Sequence, residues 1–274
     1  MSQNDDLGDR MKGYEAQETA RKFLPGLPIY ARIDGRGFSK FTKDMERPYD
    51  ERMSRAMIET TKTLVEHTHA TIGYVQSDEI SLVWIPTEHG HNWFDGKVMK
   101  MTSVLAGLAT AAFGQAILLE FSNMHGLPLL QKMPHFDTRV ISMPSEIEAA
   151  NMLLWRNQDC AKNSITMAAS SLYSHKELQG KNSANKHDML FDKGINWSTD
   201  YPYFFKRGTF VRRRSVERLL AEHELNSIPE EYRPASNERV VRSTVDPYDL
   251  PPLSKIENLV PVLFKDADPV LRSG

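Results

Sequence analysis

The sequence predicts an α+β fold, with helices on one face of an antiparallel sheet in the ferredoxin-like order βαββαβ. Three observations predict it. A strand pattern ends at Asp34, a helical pattern covers about residues 50–68, and two segments rich in β-branched and aromatic residues flank Gln76-Ser77-Asp78-Glu79. A second helix and a strand over 138–142 complete the order, so residues 1–144 are expected to form one four-stranded unit.

The first strand has two faces of different character. Alternate residues from Ile29 to Ile33 are apolar and predict a buried row, whereas the opposite row ends in the carboxylate of Asp34. Gly35 and Gly37 follow at once and allow a sharp bend. Successive N–H groups in such a bend can hold phosphate oxygens.

Capping residues and apolar spacing place the helices. Asp50 is a good N-cap for the first helix. A polar loop over 86–96 precedes a second helix, whose apolar stripe runs from Val104 to Phe113, and a third helical pattern covers about residues 145–174.

The later part of the chain predicts a helical and basic extension. A strand is expected over 204–213 and a short helix over 215–225, and five prolines between 229 and 252 favour an extended tail. The chain would then divide into a first region (1–144), a helical and basic region that completes it (145–225) and a Pro-rich tail (226–274).

Composition indicates a globular protein in a reducing compartment. Hydrophobic residues make up 40% and charged residues 26% of the chain, and a single cysteine, Cys160, excludes an intramolecular disulfide. The first ten residues lack an apolar signal core, and no run approaches the roughly 20 apolar residues of a membrane span. We therefore expect a cytoplasmic protein with no membrane partner.

Charge is distributed unevenly, although the formal net charge is only −2. Residues 156–218 hold 12 Lys or Arg against 6 Asp or Glu, which leaves the remainder at −8. The densest stretch, 206–214, interleaves basic and aromatic residues in a way typical of an RNA or triphosphate surface. A solvated basic strand edge that blocks sheet pairing explains it as well. The small net charge argues against a protein that coats DNA nonspecifically.

Asp34 and Asp78 are the chemically suggestive pair. Two carboxylates and a carbonyl such as that of Gly35 are ligands that Mg²⁺ prefers, and two Mg²⁺ ions supply the charge neutralisation that nucleotidyl transfer needs. Glu79 is adjacent, but side chains alternate along a strand, so we expect it to support the site. Each motif alone is also typical of an ordinary turn or hairpin tip.

Two groups of reactive residues are discounted. His67, His69, His89 and His91 lack carboxylate or cysteine partners in register, which argues against a transition-metal site. Cys160 has no histidine placed to activate it, so we expect a small buried residue.

Beyond the two carboxylate motifs, several segments resemble one known family. Arg-Ile-Asp-Gly-Arg-Gly-Phe (32–38) and Gln-Ser-Asp-Glu-Ile-Ser (76–81) resemble motifs of the tRNA(His) guanylyltransferase family of 3′–5′ polymerases. Further segments resemble later elements of that family in the same order: 47–50, 155–159, 185–191 and 206–209. The resemblance spans about residues 10–214.

The resemblance implies a palm over residues 1–144 like that of polymerases and adenylyl cyclases, a tRNA substrate, GTP or ATP, and a homotetramer. It implies the catalytic residues Asp34, Asp78 and Glu79, with two Mg²⁺ ions at Asp34, Gly35 and Asp78. The residues that it assigns to nucleotide binding are Asp34, Gly35, Arg36, Gly37, Phe38, Ser39, Arg47, Ser77, Asp78, Lys186 and Arg207.

One departure bears on the substrate. Eukaryotic members of the family carry a histidine where this chain has Ala161, whereas Asn163 is retained. This pattern is similar to that of the bacterial, archaeal and phage guanylyltransferase-like proteins, which implies template-directed repair of 5′-truncated tRNAs. Two other interpretations stay open: a small-nucleotide cyclase or dinucleotide synthase with the same metal geometry, and a noncatalytic nucleotide- or RNA-binding module.

Overall fold

The computed structural model describes residues 6–86, 93–121, 129, 131–235 and 237–272. The strands are β1 (Ile29–Gly35), β2 (Ile72–Gln76), β3 (Glu79–Trp84), β4 (Phe136–Ser142), β5 (Thr209–Leu219) and β6 (Arg239–Tyr248). The helices are α1 (Asp6–Thr19), α2 (Phe38–Phe41), α3 (Glu51–Thr68), α4 (Val98–Glu120), α5 (Glu146–Ser170), α6 (His175–Leu178), α7 (Ser183–Phe191), α8 (Trp197–Asp200), α9 (Tyr203–Arg207), α10 (Glu222–Ser227) and α11 (Leu259–Phe264). Short 3₁₀ turns cover Trp93–Gly96, Glu230–Tyr232 and Leu253–Lys255.

The six described strands form one antiparallel sheet in the order β4-β1-β3-β2-β5-β6. α3 and α4 pack on one face, where Ile33, Leu64 and Phe113 share a core cluster. α5 packs on the other face, where Tyr30 and Leu153 are buried. The expectation of helices on one face only is therefore wrong. The central strands explain it, because every residue of β2 and β3 is buried.

The helix start expected from the capping residue Asp50 is confirmed, and another helix begins near residue 145, where a helical pattern was expected. The side chain of Asp50 accepts a hydrogen bond from the N–H of Arg52 at the start of α3, and Ser145 accepts one from the N–H of Glu148 at the start of α5. The strand expected over 138–142 is also present and begins two residues earlier, at Phe136. Local sequence signals were therefore sufficient to predict approximately where these helices and this strand begin.

The structure differs from the prediction between residues 204 and 225. A short helix, α9, precedes the strand, β5 then continues to Leu219, and the next helix begins only at Glu222. The spacing of Val216, Leu219 and Leu220 fits one helical face, but β6 pairs with β5 along this whole stretch. Long-range pairing thus overrides a local helical pattern.

The tail is not simply extended, contrary to expectation. It contains β6 and α11, and Leu253, Ile256 and Leu263 are buried in the same cluster as Tyr30. Pro247 lies within β6 and is tolerated because β6 is an edge strand of the sheet. The tail therefore forms part of the core on the α5 face.

Two helices were not expected in the form they take. The sequence pattern does not predict α1, which has no buried residue. α4 is long and apolar enough to cross a membrane by length and composition, contrary to the expectation that no such run exists. Its stripe of Leu105, Ala109 and Phe113 is buried in the cluster shared with α3 and the sheet, as in the core helix of a globular domain. Much of the loop expected over 86–96 lies outside the described residues.

Candidate active site

Asp34 and Asp78 lie next to each other where β1 ends and the β2–β3 hairpin turns. Ser77 and Asp78 form the two-residue turn, and Ser77 adopts a left-handed conformation with φ of 49° that suits so tight a hairpin. The N–H of Gly35 donates a hydrogen bond of 3.0 Å to the carbonyl oxygen of Asp78. The structure thus brings the two predicted carboxylate segments together.

The electrostatics of this pair favour a bound cation. Burial raises the pKa of the Asp78 carboxyl to about 6, and the neighbouring charge of Asp34 contributes to the rise. Two carboxylates and the carbonyl oxygen of Gly35 form a hard donor set that fits Mg²⁺. Among the described residues, no group of three or more His, Cys, Asp or Glu side chains is arranged to hold a metal. Water and substrate oxygens would therefore complete the coordination, as is usual for Mg²⁺.

The turn after β1 combines a tight backbone with a buried ring. A Cβ atom at Gly35 would lie 2.5 Å from the ring of Phe38, so only glycine fits there. The Phe38 ring is itself buried and packs against three other rings, those of Phe41, Phe113 and Phe136. Phe38 can therefore contact a nucleotide through its backbone rather than its ring. The N–H groups of residues 37–39 precede the first hydrogen bonds of α2 and have no partner within it.

A pocket of about 490 Å³ opens beside the two carboxylates. Four parts of the chain form its walls: the two carboxylate turns, the segment that precedes α3, the helix α5 and the start of α9. The predicted site residues that line it are Asp34, Phe38, Ser39, Arg47, Ser77, Asp78 and Glu79. Those that do not are Gly35, Arg36, Gly37, Lys186 and Arg207. Its volume suits a nucleoside triphosphate, and so does its lining of side-chain oxygen atoms, basic side chains and aromatic side chains.

Sequence reasoning missed several residues of this pocket. Among them are Met45, Tyr49, Arg156, Thr166, Phe204 and Phe205. The Trp-Arg-Asn-Gln-Asp segment is a signal for Arg156. The aromatic residues have no local signal, because Tyr49 meets Phe205 (centroids 4.8 Å apart) only through the tertiary fold.

Glu79 faces an arginine of α5 rather than open solvent. Nε and Nη2 of Arg156 donate to Oε1 and Oε2 of Glu79, each at 2.6 Å, and both side chains are buried. Nη2 of Arg156 also lies 3.1 Å from Oδ2 of Asp159. This pairing agrees with a supporting position for Glu79, and its catalytic contribution stays a prediction.

The predicted basic contacts lie at different places around the pocket. Arg47 is exposed and lines the opening. Nζ of Lys186 donates a hydrogen bond of 3.0 Å to Oγ1 of Thr166, a residue that lines the pocket wall. The guanidinium of Arg207 lies 5.5 Å from the ring centroid of Trp197, outside the lining. Arg47 and Lys186 can therefore reach the pocket more directly than Arg207.

Three of the residues discounted from the sequence, Cys160, His67 and His69, lie in the part of the chain that the structure describes. Cys160 is buried, as expected, and burial raises the pKa of its thiol to about 12. His67 and His69 belong to no metal-holding group within the part of the chain that the structure describes. His89 and His91 lie outside the described residues.

Comparison with known proteins accounts for this arrangement. A family model described as tRNAHis guanylyltransferase matches residues 8–144, half of the chain. The chain belongs to the tRNA(His) guanylyltransferase family. A tRNA(His) guanylyltransferase of Schizosaccharomyces pombe is 30% identical over 222 residues, which cover 76% of this chain and 82% of that protein. Protein R259 of Acanthamoeba polyphaga mimivirus, described as uncharacterized, is 28% identical over 233 residues, which cover 78% of this chain and 79% of that one.

Solved structures of guanylyltransferase-like proteins share the fold. A bacterial tRNA(His) guanylyltransferase-like protein in complex with ATP is 31% identical, with a TM-score of 0.75 and coverage of 94% of this chain and 99% of that one. A bacterial complex with GTP is 28% identical, with a TM-score of 0.67 and coverage of 92% and 95%. Family membership makes this chain a nucleotidyltransferase.

Proposed function

We propose that this guanylyltransferase-family protein adds nucleotides to the 5′ end of tRNA in the 3′–5′ direction, with GTP or ATP and two Mg²⁺ ions held by Asp34, Asp78 and the carbonyl of Gly35. The observation that carries the proposal is the Gly35–Asp78 hydrogen bond, which sets both carboxylates beside a pocket of about 490 Å³. The relatives support the RNA and nucleotide assignments, because one is a tRNA(His) guanylyltransferase and two others are solved in complex with ATP and with GTP.

The carboxylates belong to a ferredoxin-like palm in this proposal. The strand order β4-β1-β3-β2 supports it, because α3 connects β1 to β2 and α4 connects β3 to β4. β5 and β6 extend the same sheet beyond β2. The second half of the chain then completes the pocket through α5 and α9.

When bound, the metal ions would neutralise charge on the transferring phosphoryl group and on its attacking and leaving oxygens. The protein's own groups orient the substrate around them. The N–H groups of residues 37–39 and the hydroxyls of Ser39 and Ser77 are suited to triphosphate oxygens. Arg47 adds positive charge at the opening, and Arg207, outside the lining, suits a phosphate of the RNA.

Ala161 bears on which RNA is used. It lies on α5 and packs against the cluster of Trp197 and Phe205, and a methyl group offers no hydrogen bond to a base or phosphate. Because the histidine of eukaryotic members is absent at this position, as in the bacterial, archaeal and phage guanylyltransferase-like proteins that the chain resembles, we assign the protein to template-directed repair of 5′-truncated tRNAs rather than to a dedicated tRNA(His) reaction.

The test supplies purified protein with Mg²⁺, ATP, labelled GTP and a 5′-truncated tRNA that bears a 5′-monophosphate. The expected product is a tRNA extended at its 5′ end, which Asp78→Asn should not form and Asp268→Asn, at an exposed position outside the pocket, should form normally. Silence with several tRNAs and all four triphosphates would contradict the proposal. Product from ATP or GTP without RNA would instead indicate a cyclase or dinucleotide synthase, and nucleotide binding without any product would indicate a noncatalytic module.

The proposal also covers the oligomeric state of the protein and its cellular compartment. We assign a cytoplasmic homotetramer, and large apolar side chains that are exposed on α1 and α4, including Met11, Tyr14 and Met99, support an interface between subunits. Light scattering of the full chain should give four times the 31.3 kDa mass of the subunit. A monomer at working concentration would contradict this assignment.

A further inference from the structure

Arg156 is a buried cation beside the proposed metal centre, yet nothing in the proposed chemistry requires it to touch the nucleotide. Its guanidinium donates two hydrogen bonds to Glu79, and its Nη2 also forms an ion pair with Asp159. We propose that Arg156 is a positioning residue that acts through Glu79 to hold the Asp78 hairpin against α5 and to keep a third carboxylate away from the metal ions. This inference rests on the proposed function, because it concerns the same metal centre.

The contact between Arg156 and Glu79 has the geometry of a fixed fork. Two parallel hydrogen bonds of 2.6 Å join the guanidinium to the carboxylate, and each residue is less than 9% exposed. Such bidentate pairs fix orientation as well as charge. Nε2 of Gln76, across the hairpin, lies 3.3 Å from Oε1 of Glu79 and adds a neutral contact. Contacts from α5 and from its own hairpin therefore both fix the position of the Glu79 side chain.

Glu79 lies close enough to the catalytic pair for this restraint to matter. Asp34 on β1 is directly opposite Glu79 on β3. Because the N–H of Gly35 bonds to Asp78, the next pair, Asp34 with Glu79, is the non-hydrogen-bonded type in which side chains approach most closely. Glu79 also follows Asp78 in sequence. A Glu79 side chain without its arginine would therefore be a surplus anion beside the metal ligands.

Among the residues that the structure describes, no second cation meets Glu79 with equal geometry. Nε of Arg32 lies 3.9 Å from Oε2 of Glu79, beyond hydrogen-bonding distance, and this buried atom has no hydrogen-bond partner. Loss of Arg156 would leave only this distant charge. The metal ions would then be the nearest strong partner for Glu79, and their coordination would change.

Arg156 also connects the two walls of the pocket. α5 carries Asn163 and Thr166 into the pocket, and Thr166 in turn accepts a hydrogen bond from Lys186. The fork to Glu79 fixes this helix to the hairpin that bears Asp78. One ion pair thus sets the spacing between the carboxylate wall and the α5 wall.

The chain contains a second arginine fork, more exposed than the first, for comparison. Arg218 makes the same kind of fork to Glu224, with hydrogen bonds of 2.7 and 2.6 Å, in the β5 segment outside the pocket. Arg218→Gln removes an arginine fork without touching the site. An effect of Arg156→Gln that Arg218→Gln does not share is therefore local to the metal centre.

The experiment measures Mn²⁺ binding by electron paramagnetic resonance in the presence of a nonhydrolysable ATP analogue. We expect Arg156→Gln to tighten Mn²⁺ binding about 10-fold, because the released Glu79 carboxylate becomes a third anion beside the cations, and Arg156→Lys to lie between it and the wild type. Glu79→Gln/Arg156→Gln should return the affinity towards that of the wild type, because it removes the surplus anion together with its partner. Arg218→Gln should bind as the wild type does.

Two outcomes would overturn the inference: unchanged or weaker Mn²⁺ binding by a folded Arg156→Gln, or a double variant that binds Mn²⁺ as tightly as the single one. If Arg156→Gln does not fold, Arg156→Lys and the double variant decide by the same comparison. Failure of the wild type itself to bind Mn²⁺ with the analogue would instead contradict the proposed function, so the two failures are distinguishable.

Discussion

At the residue scale, the ionised carboxylate of Asp78 is unfavourable in the metal-free protein. Burial and the neighbouring Asp34 raise its pKa to about 6, although carboxylates paired with arginine elsewhere in the chain, such as that of Asp266, have a lowered pKa. An ionised carboxylate in such a position is typical of a site that binds a cation.

This raised pKa predicts a pH dependence of stability in the metal-free protein. Because the folded state holds the proton of Asp78 more tightly than the unfolded chain, its contribution is complete below about pH 4 and is lost as the pH rises through about 6. The expected loss is of the order of 3 kcal/mol. Urea unfolding from pH 4 to pH 7 should show this loss in the wild type and not in Asp78→Asn. Parallel profiles of the two proteins would rule out the assignment.

Removal of either carboxylate should separate activity from folding. Asp34→Ala and Asp78→Ala should each abolish turnover, because metal binding is lost, while the fold is retained, because repulsion between the two carboxylates is relieved. Turnover is measured by 5′ extension, and folding by circular dichroism without metal. Severe unfolding of both variants under those conditions would mean that the carboxylates are structural.

At the scale of elements, the junction of α9 with β5 is fixed by one glycine. Gly208 has φ of 72°, and a Cβ atom there would lie 2.5 Å from the carbonyl oxygen of Val75. The preceding carbonyl, of Arg207, accepts hydrogen bonds of 2.8 Å from Tyr74 and from Asn157. The junction therefore ties β5 to both β2 and α5.

Two glycine-to-alanine substitutions should have opposite effects on stability. Gly208→Ala combines a left-handed backbone with a backbone clash and should cost about 2 kcal/mol or more. Gly107→Ala, in α4 with open space around the added Cβ, should stabilise by about 0.5–1 kcal/mol. Chemical denaturation of both variants measures the difference. Equal effects would mean that the α9–β5 junction is looser than described.

At the scale of the whole molecule, the chain beyond residue 225 is part of the core. Leu253, Ile256, Val262 and Leu263 are buried against α5 and the sheet. Helices cover both faces because the central strands bury residues in both directions. The α5 face thus depends on residues that lie at the far end of the sequence.

Substitution within this last segment tests its place in the core. Leu263→Ala should cost about 2–5 kcal/mol, the usual range for a fully buried leucine. Val270→Ala, at a side chain that is 54% exposed, should change stability by less than about 0.5 kcal/mol. Both are measured by urea unfolding. A negligible effect of Leu263→Ala would mean that the segment does not pack on the sheet in solution.

Features that depend on neighbouring residues could be predicted from the sequence, whereas features that depend on contacts between distant segments could not. Asp34 and Asp78 were recognisable because each follows a β pattern and lies in a turn. The fork between Glu79 and Arg156 joins residues far apart in sequence, and no local pattern specifies it. The stretch around Val216 fits a helix by spacing, and only its pairing with β6 makes it a strand. The succession of strands and helices from β1 to β4 could therefore be predicted from the sequence. The helix layer on the α5 face and the aromatic wall of the pocket could not.

The most direct test of the account is a crystal structure with Mn²⁺ and a nonhydrolysable nucleoside triphosphate, in which anomalous scattering locates the metal ions. We predict two anomalous peaks within coordination distance, about 2.0–2.3 Å, of oxygen atoms of Asp34 and Asp78, with the triphosphate completing their coordination. A triphosphate bound with no anomalous peak at these carboxylates, or with metal held elsewhere, would contradict the claim that they form the catalytic centre.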